Sequence, residues 1–184
     1  MELGGAVLDA NVLFPVVLRD TLLRAADAGY FRPYWNAHIL AELSRNLIAD
    51  AHFSEGSAAR LIAALRRNFP HAEIAGYEYL VDSLTNHPRD RHALAAANHA
   101  GAPVIVTANL LHFPREALRP HGIVAQSPDT FLMDLLSPGP RRLVRIIREQ
   151  SADMRRPPMT VDEAVDRLEK HAPRFGRELR RHIE

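Results

Sequence analysis

Two rhythms of apolar residues run through this chain. Residues 5–8, "GAVL", and 103–107, "PVIVT", are short β-branched or apolar runs without alternation, the pattern of strands buried on both faces of a parallel sheet. Between them the period is helical. In "NAHILAELSRNLI" the residues Ile39, Leu40, Leu43 and Leu47 share one face, with Asn36 placed to cap it, and in "SAARLIAALRRNF" Leu61, Ile62, Leu65 and Phe69 do the same. A third helix, "RDRHALAAANHA", follows Pro88, and Gly101 closes it just before the strand at 103. A further short run, "GIVAQ", leads into "SPDTFLMDLL", with Ser127 as N-cap and Pro128 at the first helical position. Strands alternating with helices predict an α/β fold with a central parallel sheet.

The rhythm changes at "SPGP", residues 137–140, which divides the chain into an α/β body, 1–137, and an all-helical extension, 138–184. In the extension Leu143, Ile146 and Ile147 form one narrow stripe. Thr160 and Glu163 have the spacing of a capping box ahead of Val165 and Leu168, and Phe175, Leu179 and Ile183 recur every four residues. Such stripes need a covering surface, supplied either by the body or by another chain. There is no internal repeat and no low-complexity segment.

Composition narrows the classes. At 184 residues and 47% hydrophobic content the chain suffices for one domain with an appendage. No stretch approaches the roughly 18 to 20 apolar residues of a membrane helix, and the N-terminus lacks a signal-peptide pattern, so no membrane partner is expected. The absence of cysteine excludes disulfides, thiol nucleophiles and Cys-based zinc sites, and fits a reducing, cytoplasmic setting. The formal charge of +1 conceals an asymmetry: residues 1–138 carry 11 Arg against 14 acids, whereas residues 139–184 carry 12 basic residues against 8 acids. All the basic residues but Lys170 are Arg. A base-composition bias accounts for that as well as a bidentate phosphate-binding surface does.

Ligands of open α/β sheets gather at the carboxyl ends of the strands. Asp9 ends the first strand, with Asn11 two residues on, and Thr107 and Asn109 end another. Glu42 sits at the border of a buried helical stripe, and Asp90 opens the helix after Pro88. Singly, each has an ordinary role: Asp9 a strand-end turn, Glu42 a solvated helix position, Asp90 a first-turn acid favoured by the helix dipole. Together they converge on one edge of the sheet.

At these residues the chain resembles a known family. "VLDANVLF", a glutamate in the helix after the first βα unit, "HPRDRHALAAANHAGAPVIVTANLLHFP" and "GIVAQSPDTFL" are similar to the signature blocks of PIN-domain nucleases, and within them to VapC-like toxins. The resemblance covers residues 5–136. It implies a PIN-like three-layer sandwich, with the extension similar to that of larger VapC-type proteins. Carried over by position, it implies an acidic metal site of Asp9, Glu42 and Asp90. Asn109 stands where many members have a fourth acid, and Thr107 matches the threonine that commonly precedes it. His87 stands where a second acid often precedes the matched Asp90 and reads as an exposed loop histidine.

Carboxylate and amide oxygens without His–Cys spacing suit Mg²⁺ or Mn²⁺ rather than zinc. The expectation is a divalent-metal-dependent ribonuclease in which Asp9 and Asp90 hold the metal, Glu42 helps bind it or orients water, and Asn109 completes the shell. Asn11 and Thr107 support them from behind, and rim and tail arginines hold the nucleic-acid backbone. The resemblance also implies an RNA substrate and a cognate antitoxin, and leaves room for a homodimer. A haloacid-dehalogenase-like phosphatase fails on Asn11 in place of a second Asp, and a P-loop or receiver domain on the absence of lysine from the body. The competing class is a catalytically weak or silent PIN-like module that binds RNA or protein, with Asn109 as its first lost ligand.

Overall fold

Five parallel strands form a single sheet in the computed structural model, which describes residues 3–49, 53–155 and 157–183. They are β1 (Leu3–Leu8), β2 (Phe31–Asn36), β3 (Glu73–Ile74), β4 (Val104–Val106) and β5 (Val124–Gln126), in the spatial order β3-β2-β1-β4-β5. Ala6, Val7 and Leu8 pair with Val104, Ile105 and Val106, and all but Val104 are buried. Consecutive residues of β1 point to opposite faces, so their common burial means that helices cover both sides. The result is a three-layer α/β sandwich. From β1 the chain moves outward through β2 to β3, then returns across β1 to β4 and β5. Connections therefore leave the carboxyl ends of β1 and β4 in opposite directions, which opens a crevice between them.

The helices are α1 (Ala10–Leu13), α2 (Val16–Asp27), α3 (Ala37–Ala49), α4 (Glu55–Asn68), α5 (Arg91–Ala100), α6 (Arg115–Leu118), α7 (Pro128–Leu136), α8 (Pro140–Asp153), α9 (Val161–Glu169) and α10 (Pro173–Ile183). Their caps follow the local chemistry. Asn36 Oδ1 accepts from Ile39 N–H at 2.8 Å, Ser127 caps α7, and Thr160 and Glu163 close a reciprocal capping box. Gly101 ends α5 at φ 64°, a left-handed conformation that favours glycine. Among the described residues no helix is long and apolar enough to cross a membrane.

Two strands depart from the helical reading of the segment between β1 and β4. In β2, "FRPYWN", Phe31 and Trp35 are fully buried, but Pro33 sits in register with Ala6 of β1. A proline inside an apolar run argues against a strand, and β3 has only two residues, too few for any period. α4 also starts earlier than expected, capped by Ser54. It ends before Phe69, whose ring meets Trp35 edge-on at 5.9 Å.

The apolar stripes of the extension are covered by the chain itself. α8 packs on α2, α9 on α2 and α8, and α10 on α7, α8 and α9, burying Leu143, Ile147, Val165, Leu168, Phe175 and Leu179 completely. Polar contacts fix the docking. Buried Gln150 donates to the Val17 carbonyl at 2.9 Å and accepts from the Thr21 hydroxyl at 2.8 Å. Asp129 on α7 accepts from the Phe175 N–H at 2.9 Å and from Arg174 Nε at 2.7 Å. α9 and α10 cross closely enough that a Cβ on Gly176 would lie 2.7 Å from Glu169 Cβ. Gly176→Val is therefore expected to lower stability by about 1–3 kcal/mol in denaturant melts. A chain ending at Ser137 should bind a hydrophobic dye and aggregate, because faces of α2 and α7 lose their cover; a soluble, dye-silent fragment would contradict this packing account.

Candidate active site

The crevice is organised around the residue that follows β1 and caps α1. Asp9 N–H donates to the Val106 carbonyl at 3.1 Å, extending the β1–β4 ladder by one rung, and the chain then turns into α1. The Asp9 carboxylate is only 4% exposed as a residue, yet both of its oxygens are engaged. Oδ1 accepts from Ala10 N–H at 2.7 Å, and Oδ2 accepts from Asn11 Nδ2 and from the Thr107 hydroxyl, each at 2.7 Å. Asn11 Oδ1 in turn accepts from Ala108 N–H at 2.9 Å, and Thr107 Oγ1 accepts from Asn109 N–H at 3.0 Å. Asn11 and Thr107 thus strap the end of β1 to the loop after β4, with Thr107 buried behind the crevice.

Asp9, Asn11, Glu42, Asp90 and Asn109 all line one open cleft of about 770 Å³. Glu42 projects from α3 beside the buried Leu43 and is half-buried. Asp90 ends a single 3₁₀ turn, Pro88–Asp90, at the N-cap position of α5, but its side chain makes no capping bond among the described residues and instead contacts His112 Nδ1. Burial pushes the Asp9 carboxyl above its ordinary range, against the Thr107 and Ala10 hydrogen bonds, and the negative charges of Asp90 and Glu42 add to the upward shift. Asp9 therefore senses both other acids across the cleft, an arrangement that a cation would relieve.

Histidines are the component that sequence reasoning missed. His38, His92 and His112 line the same cleft. His38 and His92 stack at 4.0 Å, and with Glu42 they offer ligand atoms within 4.8 Å of one another. His87 and His112 stack at 3.8 Å with planes 7° apart, and they form a similar group with Asp90. His87 is accordingly half-buried against another ring rather than free in a loop. The signals were weak but present: His38 and Glu42 are spaced i, i+4, His92 lies two residues after Asp90, and His112 three after Asn109.

The His38–Glu42–His92 group is a poor metal site despite its spacing. Asn36 Oδ1 is committed to Ile39 N–H, so Asn36 Nδ2 faces the His92 carbonyl at 3.0 Å and His92 Nδ1 at 3.2 Å. Nδ1 therefore accepts, and the ring proton belongs on Nε2, which is buried and has no hydrogen-bond partner among the described residues. Burial, reinforced by His38, lowers the His92 pKa to about 4, keeping the ring neutral. It presents an N–H donor where a metal would need a lone pair.

Residues 5–111 match the family model described as PIN domain. The chain belongs to the PIN-domain family. A second model, described as VapC50 C-terminal domain, matches residues 128–181, which run from α7 into α10. The chain is also 41% identical over 106 residues to a protein of Mycobacterium tuberculosis (strain ATCC 25618 / H37Rv) named "Putative ribonuclease VapC50". The matched stretch is 58% of this chain and 63% of that relative, so it spans less than two thirds of the relative's length. No solved structure matches. The PIN-domain match ends within the turn that follows Asn109 and so takes in all of Asp9, Glu42, Asp90 and Asn109.

The electrostatics generate a direct test. Asp9→Asn removes the buried charge but has only one acceptor oxygen, so it cannot keep both the Ala10 and the Thr107 bonds and turns an NH2 towards Asn11 Nδ2. The melting temperature of each protein in EDTA is therefore taken as its own baseline. Adding Mg²⁺ or Mn²⁺ at one hundred times Kd should stabilise the unsubstituted protein by about 2.7 kcal/mol and leave Asp9→Asn nearly unmoved. Equal metal stabilisation of both would remove Asp9 from the metal site.

Proposed function

We propose that this PIN-domain protein is a divalent-metal-dependent endoribonuclease, the toxin of a cytoplasmic toxin–antitoxin pair. The observation that carries the reading is the strapping of a buried Asp9 to Thr107 at the switch point of the sheet, with Glu42 and Asp90 facing it across one cleft. The name of the mycobacterial relative supports a ribonuclease. All-oxygen donors of this kind suit Mg²⁺ or Mn²⁺, held by Asp9 and Asp90 with Glu42 and Asn109 beside them. When bound, such an ion supplies Lewis-acid activation of the attacking water and charge neutralisation at the scissile phosphate.

The chain's own residues do the rest. Three hydrogen bonds fix the Asp9 carboxylate in one orientation, so no rotamer search precedes binding. Arg45 and Arg89 on the wall of the cleft pair with phosphates on either side of the bond to be cut, a sequence-blind contact. In this reading residues 1–137 carry the chemistry and residues 138–184 brace them. The cognate antitoxin inhibits by placing an Arg or Lys among Asp9, Glu42 and Asp90, where it replaces the ion.

The neutral Asn109 favours a second reading, a PIN module that binds RNA with little cleavage. One assay separates them. The purified protein is expected to cleave single-stranded or loop RNA only with added Mg²⁺ or Mn²⁺, and Asp9→Asn should lose at least about a hundredfold in rate. Binding without metal-dependent cleavage would establish the second reading, and cleavage that persists in EDTA would overturn the first.

A further inference from the structure

We infer that His112 is a metal ligand of this site, taking the place of the carboxylate that Asn109 does not supply; the inference rests on the metal-dependent reading above. His112 is held rather than free. Its N–H donates to the Asn109 carbonyl at 3.1 Å, closing the 3₁₀ turn Leu110–His112, and its carbonyl accepts from His87 N–H at 3.1 Å. The His87 ring stacks flat on it. Backbone and ring together aim His112 Nδ1 at Asp90 Oδ2 and at the Asn109 side-chain amide, 2.7 Å away.

Proton accounting shows what belongs between these groups. The Asp90 carboxylate only accepts, and Asn109 Nδ2 only donates. With a proton on Nδ1 the ring satisfies Asp90 and opposes the amide; without one it satisfies the amide and opposes Asp90. Rotating the Asn109 amide by half a turn brings Oδ1 inward, and then Asp90, His112 and Asn109 present three lone pairs to one point. Three lone pairs converging on one point suit a divalent cation.

His87 and His92 do not compete for this role, and His38 groups with Glu42 and His92 rather than with Asp90. His87 Nδ1 accepts from Arg89 N–H at 3.3 Å and lies 3.9 Å from Asp90 Oδ2, so its lone pair serves the turn and its ring serves the stack. His92 carries its proton on the nitrogen that faces outward from the Asn36 contact. His112 is left as the imidazole that shares a carboxylate with the metal. A nitrogen ligand moves the site's preference from Mg²⁺ towards Mn²⁺, since Mg²⁺ is the more demanding of oxygen.

The test is pulsed electron paramagnetic resonance on the full-length protein loaded with Mn²⁺, prepared with natural and with ¹⁵N-labelled histidine. Label-sensitive nitrogen coupling to Mn²⁺ is expected, and no variant is needed to see it. His112→Gln should abolish the coupling and weaken Mn²⁺ binding at least about tenfold by calorimetry, with a smaller loss for Mg²⁺. Adding Asn109→Asp to that variant should restore affinity without restoring the nitrogen signal. Mn²⁺ binding without nitrogen coupling, or coupling that survives His112→Gln, would overturn the assignment of His112 and leave the metal-dependent reading standing. No Mn²⁺ binding at all would overturn both.

Discussion

The bond from the Thr107 hydroxyl to the Asp9 carboxylate is the contact on which the site depends. It joins the carboxyl ends of β1 and β4, the two strands between which the sheet reverses its order. A parallel sheet places those ends at one edge but does not by itself hold their loops together. Asn11 reaches the same carboxylate and the Ala108 N–H, so the loop that carries Asn109 is set by the turn that follows β1. The position of Asn109 is therefore fixed by Asp9 and its partners.

That arrangement buries a charge. Desolvation and two neighbouring acids raise the pKa of Asp9, and the hydrogen bonds that hold it only partly offset the cost. The fold must draw stability from elsewhere, and the extension is well placed to supply it. α8 to α10 add a second apolar layer over α2 and α7, with Gln150 and Asp129 satisfied by backbone and side-chain partners across the seam. A site assembled from mutually repelling groups is compatible with a marginally stable body when a large apolar surface is buried at a distance from it.

What the sequence disclosed follows from the range of the interactions concerned. β1 and β4 are legible because a strand covered on both faces must be apolar without alternation, and α3 and α5 because their stripes repeat. Asp9, Glu42, Asp90 and Asn109 are each placed by one such element, so topology carries them to a common edge. β2 was hidden by Pro33, and β3 by its length of two residues. The paired histidines were hidden for a different reason. Each pair joins two segments, α3 with α5 and the 3₁₀ turn before α5 with the turn after β4, and no local period encodes a contact between segments. Asn36 shows the limit most clearly: its cap on α3 is local and was legible, whereas its hold on the His92 ring is not.

The basic extension changes meaning once its partners are known. Its charge excess suggested a surface for phosphates, but no residue beyond His112 lines the cleft among the described residues. Many of its arginines face acids of their own region or of α7: Arg174 pairs with Asp129, Arg180 with Asp166 and Glu169, Arg181 with Glu178. Exposed pairs of this kind contribute little stability each, yet they draw down the field that a run of positive charge would otherwise project. Arg45 and Arg89, by contrast, lie on the wall of the cleft that holds Asp9. The arginines that line the cleft thus belong to the body that carries the acids, and the extension meets that body through the α2 and α7 faces it covers.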